Sequence, residues 1–219
     1  MKKRTNEIYD LLIARFGEAG CELNFSNHYE LIVAVILSAR CKDSRVNQIT
    51  KDLFRKYPIP QALAAANINE LEKDIYSCGF YHNKAKNLIM MAQDLVERFG
   101  GEVPQTYEDL LSLAGVGRKT ANVVMSVGFN IPAIAVDTHV FRVSNRLDMA
   151  RSKTSLECEL KLQKEVTKDR WSRFHHLLVL FGRYVCSSQH PHCTDCELKK
   201  YCVFYKQKRP AKKQKTLAK

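Results

Sequence analysis

Apolar positions recur along most of this chain at the spacing of a helix with one buried stripe. Ile8, Leu11, Leu12 and Phe16 fall on one such stripe near the start, and Trp171, Phe174, Leu177, Leu178 and Phe181 on another towards the end. Leu31 to Leu37 is an unbroken apolar run. It continues from Tyr29-Glu30 into Ser38-Ala39 without turn residues, which favours a buried helix over a strand. Thr106-Tyr-Glu-Asp109 and Thr154-Ser-Leu-Glu157 read as helix N-termini, the second as a capping box. Pro58-Ile-Pro60, Gly79, Gly100-Gly101 and Ile131-Pro132 divide the chain into segments of ordinary helical length. The pattern predicts an all-α protein with no repeat of fixed period.

Composition narrows the class. A chain of 219 residues with 45% apolar content can bury a proper core as one large domain or two lobes. Its longest apolar run, Leu31 to Leu37, is far short of the ~20 residues needed to cross a bilayer. The residues after Met1-Lys2-Lys3-Arg4 are amphipathic, unlike a signal peptide. A soluble, cytoplasmic protein with no membrane partner is expected, associated with the nucleoid if the source is bacterial. The formal charge is +12, but seven cations and no acid lie between Lys206 and Lys219, which leaves +5 for the remainder. That tail, residues 206–219, reads as disordered. It would strengthen attraction to a polyanion through counterion release, and an acidic membrane surface would attract it equally.

Two motifs carry chemistry. Cys186, Cys193, Cys196 and Cys202 are spaced C-x6-C-x2-C-x5-C, so four thiolates within seventeen residues can close round one iron-sulfur cluster or one zinc. Structural zinc sites favour two short ligand pairs, and only Cys193 and Cys196 form one; His190 and His192 nevertheless keep zinc open as an alternative. Disulfides fit poorly with a chain that has no secretory signal. The other four cysteines, Cys21, Cys41, Cys78 and Cys158, show no ligand spacing and read as reduced thiols, Cys41 and Cys78 as packing or incidental ones. The second motif is Leu113-Ala-Gly115-Val116-Gly117-Arg118-Lys119-Thr-Ala121, read as helix, glycine turn, helix. Gly115 and Gly117 would permit positive φ and close backbone approach. The amides opening the next helix, through Val123, Val124 and Val127, would face a phosphate oxygen. A tight corner with solvated charges is the plainer alternative for this segment.

Leu113 to Ala121 resembles the helix-hairpin-helix of the endonuclease III family of DNA glycosylases, and Cys186 to Cys202 has the spacing of that family's iron-sulfur loop. Val136-Asp137-Thr138-His139-Val140-Phe141-Arg142 is similar to the segment carrying the family's catalytic aspartate. The three motifs occur in the family's order, and the similarity runs from about residue 5 to about residue 205. The resemblance implies two α-helical lobes. One is a six-helix barrel with the hairpin, residues 21–131; the other is a cluster lobe built from residues 1–20 and 132–205, with DNA across the cleft between them. It implies Lys119 as nucleophile, Asp137 as catalytic carboxylate, and Cys186, Cys193, Cys196 and Cys202 as ligands of a [4Fe-4S] cluster with a structural role. The implied activity is a bifunctional DNA glycosylase and AP lyase that removes oxidised pyrimidines from duplex DNA, working as a monomer.

A lysine nucleophile must shed its proton, which desolvation or neighbouring positive charge favours, and Arg118 and a helix N-terminus both adjoin Lys119. Taken alone, Lys119 reads as a solvated charge and Asp137 as an N-cap; His139, His175 and His176 receive no role. The DNA contacts expected are Arg40, Phe80, Leu113, Gly115, Val116, Gly117, Arg118 and Lys200. The chain departs from the family at Arg40-Cys41-Lys42-Asp43, where Gln-Ala-Thr-Asp is common, at Phe80 in place of Leu, and at Ala114 in place of Pro. Arg40 would reach an unpaired base or a phosphate and Phe80 would wedge by stacking. These changes bear on lesion range, not on the reaction. A family branch acting on mismatched adenine would lack Lys119 and carry a further domain, and a non-catalytic iron-sulfur DNA-binding protein would use the hairpin for phosphate contact alone.

Overall fold

A computed structural model describes residues 1–208, and every regular element among them is helical. The chain divides into two compact units, one of residues 20–135 and one joining residues 1–19 to the chain from Val136 onward. Among the described residues no helix is long and apolar enough to cross a membrane.

The unit of residues 20–135 is organised around α2 (His28–Ser38), whose residues from Leu31 to Leu37 are all buried. A helix apolar on every side must be enclosed by others. Here it packs among α3 (Asp43–Lys56), α4 (Pro60–Ala64), α5 (Ile68–Asp74), α6 (Tyr81–Phe99), α7 (Tyr107–Ser112) and α8 (Arg118–Val123), which share one hydrophobic core. Its start is fixed locally: the Asn27 side chain accepts from Glu30 N at 2.9 Å, and Glu30 Oε2 accepts from Ser26 N at 2.7 Å. Pro60, which reads as a breaker, opens α4 at a position where a missing N–H costs nothing. α6 buries Leu88, Met91, Ala92 and Leu95 at three- and four-residue intervals, and Gly100 ends it in the left-handed region at φ 62°.

In the other unit, α1 (Lys3–Phe16) lies against α11 (Trp171–Tyr184), each presenting the stripe predicted from periodicity. Ile8, Leu12, Phe174, Leu177 and Leu178 are fully buried, and the Tyr9 and Phe174 rings lie 5.9 Å apart. Arg4 explains why the N-terminal helix stays with the C-terminal third. It donates to the carbonyls of Leu147, Asp148 and Tyr201, the first two just beyond the end of α9 (Thr138–Arg146). Thr154 caps α10 (Ser155–Glu165) by accepting from Glu157 N at 3.2 Å, and Glu157 Oε2 accepts in return from Lys153 N at 2.9 Å. α12 (Val203–Lys208) carries a helix three residues into the stretch read from sequence as a tail; positions 209–219 of that stretch lie outside the described residues.

Candidate active site and cysteine centre

The glycine hairpin is built from both ends. Thr106 caps α7 by accepting from Asp109 N at 3.1 Å, and Val116 N closes the turn on Leu113 O at 3.1 Å. Leu113 and Val116, expected among the DNA contacts, are buried and pack in the core. An apolar turn residue gains more from burial than from solvent, and these two anchor the hairpin. Its two glycines differ. Gly115 takes φ +76°, and a Cβ there would sit 2.9 Å from Asn87 Cβ on α6. Gly117, contrary to the sequence expectation of positive φ, is extended at φ −95° and ψ 177°, with no atom within 4 Å of where its Cβ would be. The first amides of α8, which follow it, have no carbonyl partner within the helix.

Lys119 is the second residue of α8 and is exposed, as is Arg118, whose guanidinium lies 5.4 Å from the Tyr107 ring. The opposite face of α8 buries Ala121, Asn122 and Val123, and Asn122 Nδ2 donates to Ile134 O at 3.0 Å. The helix expected to run on through Val127 changes instead to a π turn, Val124–Gly128. Gly128 is pressed against α2, where a Cβ would meet Leu31 Cδ2 at 3.0 Å, and His28 Nε2 lies 3.0 Å from Gly128 O. Widened turns of this kind are frequent beside functional residues.

Asp137 belongs to the other unit and caps α9: its Oδ1 accepts from both His139 N and Val140 N at 2.8 Å. One oxygen is thus committed to the backbone, and Oδ2 has no protein hydrogen bond among the described residues. The N-cap role and a chemical role are compatible, because the cap fixes the orientation of the half-buried carboxylate. Two residues that the sequence reading passed over follow one helical turn apart. Arg142 donates to Cys186 O at 3.0 Å and Gly182 O at 2.8 Å, and lies 3.1 Å from His139 Nδ1. Arg146 donates to Ser187 O at 2.7 Å, Ser188 O at 2.9 Å and Cys186 Sγ at 3.2 Å, and covers the Phe204 ring at 4.1 Å. Their i, i+4 spacing on an amphipathic helix was the available signal.

Arg146 lines a pocket shared by Cys186, Cys193, Cys196 and Cys202, with Leu147, Phe181, Val185 and Phe204 as apolar walls and His192 also in its lining. None of the eight cysteines is in a disulfide. Burial pushes the Cys196 thiol up to about 11 and raises that of Cys202 as well, so a nearby cation would be needed to hold thiolates here. Donors toward sulfur are in place: Arg146 on Cys186, Tyr205 N on Cys202 Sγ at 3.4 Å, and the Leu198 amide on Cys196. Among the described residues no three His, Cys, Asp or Glu side chains close on one point that would hold a single ion. A lone zinc would draw four sulfurs to about 2.3 Å from a common centre. Lys200 is exposed and its Nζ lies 3.8 Å from Glu7 Oε2.

Arg40 and Phe80, from separate loops of the other unit, are brought together. Both are exposed, both adopt positive φ (53° and 61°), and the Arg40 guanidinium lies 5.0 Å from the Phe80 ring centroid. The loop backbones adjoin beneath them, since a Cβ on Gly79 would lie 3.6 Å from Arg40 O. Non-glycine residues in this conformation concentrate at ligand-contacting sites.

Comparison with known proteins places these features in a wider set. Residues 33–168 match the model of the HhH-GPD superfamily base excision DNA repair protein. Endonuclease III of Bacillus subtilis (strain 168) is 53% identical over 188 residues, covering 85% of this chain and 86% of that protein. Endonuclease III of Synechocystis sp. is 43% identical over 202 residues, covering 92% of each. The solved structure of a trapped endonuclease III-DNA covalent intermediate superposes with a TM-score of 0.90 at 46% identity, covering 94% of this chain and 99% of that one.

Proposed function

The chain belongs to the HhH-GPD superfamily of base excision DNA repair proteins, and we propose that it is a bifunctional DNA glycosylase and AP lyase acting as a monomer on oxidised pyrimidines and abasic sites in duplex DNA. The observation that carries this reading is Lys119: an exposed amine on the second residue of the helix that follows the glycine hairpin.

In this reading the hairpin docks a phosphate on the first backbone amides of α8, with Gly115 setting the turn. The damaged nucleotide leaves the stack. The Lys119 amine, once deprotonated, attacks C1′, and the glycosidic bond breaks with its electron pair leaving on the base, which takes up a proton. Asp137, with Oδ1 held by two amides, turns its other oxygen to the positive charge that develops on the sugar and carries protons in the steps that follow. The sugar ring opens to a Schiff base between Lys119 and C1′. Loss of a C2′ proton expels the 3′ phosphate, and water then releases the enzyme. Arg40 and Phe80 enter the space left by the flipped nucleotide, Phe80 by stacking and Arg40 by hydrogen bonding. Lys200 contacts a backbone phosphate.

Cys186, Cys193, Cys196 and Cys202 would hold a [4Fe-4S] cluster, which supplies the cross-links that fix their loop. Support comes from the four thiols sharing one pocket and from the donors directed at sulfur.

The reading is tested by incubating the protein with duplex DNA containing thymine glycol or an abasic site and adding borohydride. Wild type is expected to yield a covalent protein-DNA adduct and Lys119→Ala none. Absence of adduct from the wild-type holoprotein on both substrates would reduce the activity to a monofunctional glycosylase or to DNA binding alone.

A further inference from the structure

Cys41 and Cys78 stand directly beneath the Arg40 and Phe80 loops. Cys41 follows Arg40 in the chain, and Cys78 precedes Gly79 and Phe80. The contacts just described, Arg40 on the Phe80 ring and Arg40 O against Gly79, hold the two backbones side by side at this level. Both cysteines pack on the same core: Cys78 is fully buried, whereas Cys41 is half-buried and reaches solvent. The two thiols are near enough for the charge of each to act on the other, and they are not joined.

A third group completes the cluster. Lys84 is 5% exposed, and its Nζ donates to Leu37 O at 2.8 Å, in the last turn of α2. A cation is favoured there by the unpaired carbonyls of a helix end. Its charge acts on both thiols, with that of Arg45 also reaching Cys78, so cations attend a pair of sulfurs otherwise surrounded by apolar side chains. Neither the hairpin chemistry nor the four-cysteine pocket uses these residues.

We infer that Cys41 and Cys78 form an oxidation-responsive dithiol, with Cys41 the thiol that meets a small hydroperoxide and Cys78 the one that resolves it. The Cys41 thiolate attacks the O–O bond of hydrogen peroxide, giving a sulfenic acid and water. The Cys78 sulfur then attacks the Cys41 sulfur, forms the S–S bond and expels hydroxide, which leaves as water with the Cys78 proton. Two thiols thereby lose two electrons and two protons, and one peroxide becomes two waters. The order follows from access, since only Cys41 is open to solvent. The bond would tie the residue after Arg40 to the residue before Gly79. Its relevance to DNA rests on the function proposed above, but the chemistry does not.

The test uses the holoprotein treated with stoichiometric hydrogen peroxide, alkylated, and cut after glutamate. That digestion places Cys41 in Leu31–Glu70 and Cys78 in Lys73–Glu97, each the sole cysteine of its peptide. The expected result is these two peptides joined, separable by dithiothreitol, and not joined in Cys41→Ser. Recovery of both as alkylated thiols overturns the proposal. So does Cys41 oxidised or paired elsewhere while Cys78 remains alkylated. The readout needs no DNA, so it stands apart from the outcome of the borohydride experiment.

Discussion

Replacing Gly115 with alanine separates the two glycines of the hairpin and tests whether its geometry is set by packing. At φ +76° an alanine pays the left-handed penalty of roughly 1–2 kcal/mol. Its Cβ would also lie 2.9 Å from Asn87 Cβ, an atom fixed to the backbone of α6 that no side-chain rotation moves aside. Relief requires a shift of the hairpin or of α6, which places the overpacking at about 1–3 kcal/mol. Loss of unfolded-chain entropy returns about 0.4–1 kcal/mol. The net expectation is a destabilisation of roughly 1–4.5 kcal/mol, a lower thermal midpoint by on the order of 2–4 °C for each kcal/mol, and weaker binding to abasic-site duplex. Gly117→Ala, extended and open, should leave stability within about 1 kcal/mol while weakening DNA binding, because the new methyl fills open space on the side where a phosphate backbone is proposed to approach. Urea unfolding followed by circular dichroism at constant m, with fluorescence anisotropy for binding, measures both. Gly115→Ala within about 0.5 kcal/mol of wild type, or equal losses of stability at the two positions, would refute the reasoning.

Asp137→Asn keeps a good N-cap and removes the charge, so stability should hold within about 0.5 kcal/mol while excision falls by roughly 10²-fold or more; single-turnover kinetics beside thermal melts decide, and parallel losses would make the carboxylate a cap only. Arg146→Ala removes donors to Ser187 O, Ser188 O and Cys186 Sγ and is expected to hasten loss of the cluster's visible absorbance in the reconstituted protein, with an unchanged bleaching rate counting against it. The Cys78 thiol is pushed up to about 12, chiefly by burial, so at pH 8 its thiolate fraction is on the order of 10⁻⁴. Iodoacetamide should label Cys41 well before Cys78, and labelling of Cys78 should still be rising with pH above 9; equal rates at pH 8 would show that Cys78 is not held as described.

Features decided within four residues were legible in the chain. The Thr106 and Thr154 caps, the enclosed helix from Leu31 and the stripes of α1 and α11 all depend on local hydrogen bonds or on a periodicity that every neighbouring turn repeats. Motif order was enough to indicate the family, because spacing along a chain survives without coordinates. The sequence could not separate Gly115 from Gly117, since both are glycines in one turn, distinguished by the left-handed φ of Gly115 and by the presence of Asn87 from α6 against it. Nor could it show that Leu113 and Val116 face inward or that α8 ends in a π turn pressed on α2. The arginines that reach the cysteine loop, the Arg40 and Phe80 stack and the two thiols beneath it were equally out of view. Each of these is a contact between segments far apart in the chain. Such contacts are fixed by how helices of given length and buried face can pack together, and that information belongs to the assembled core.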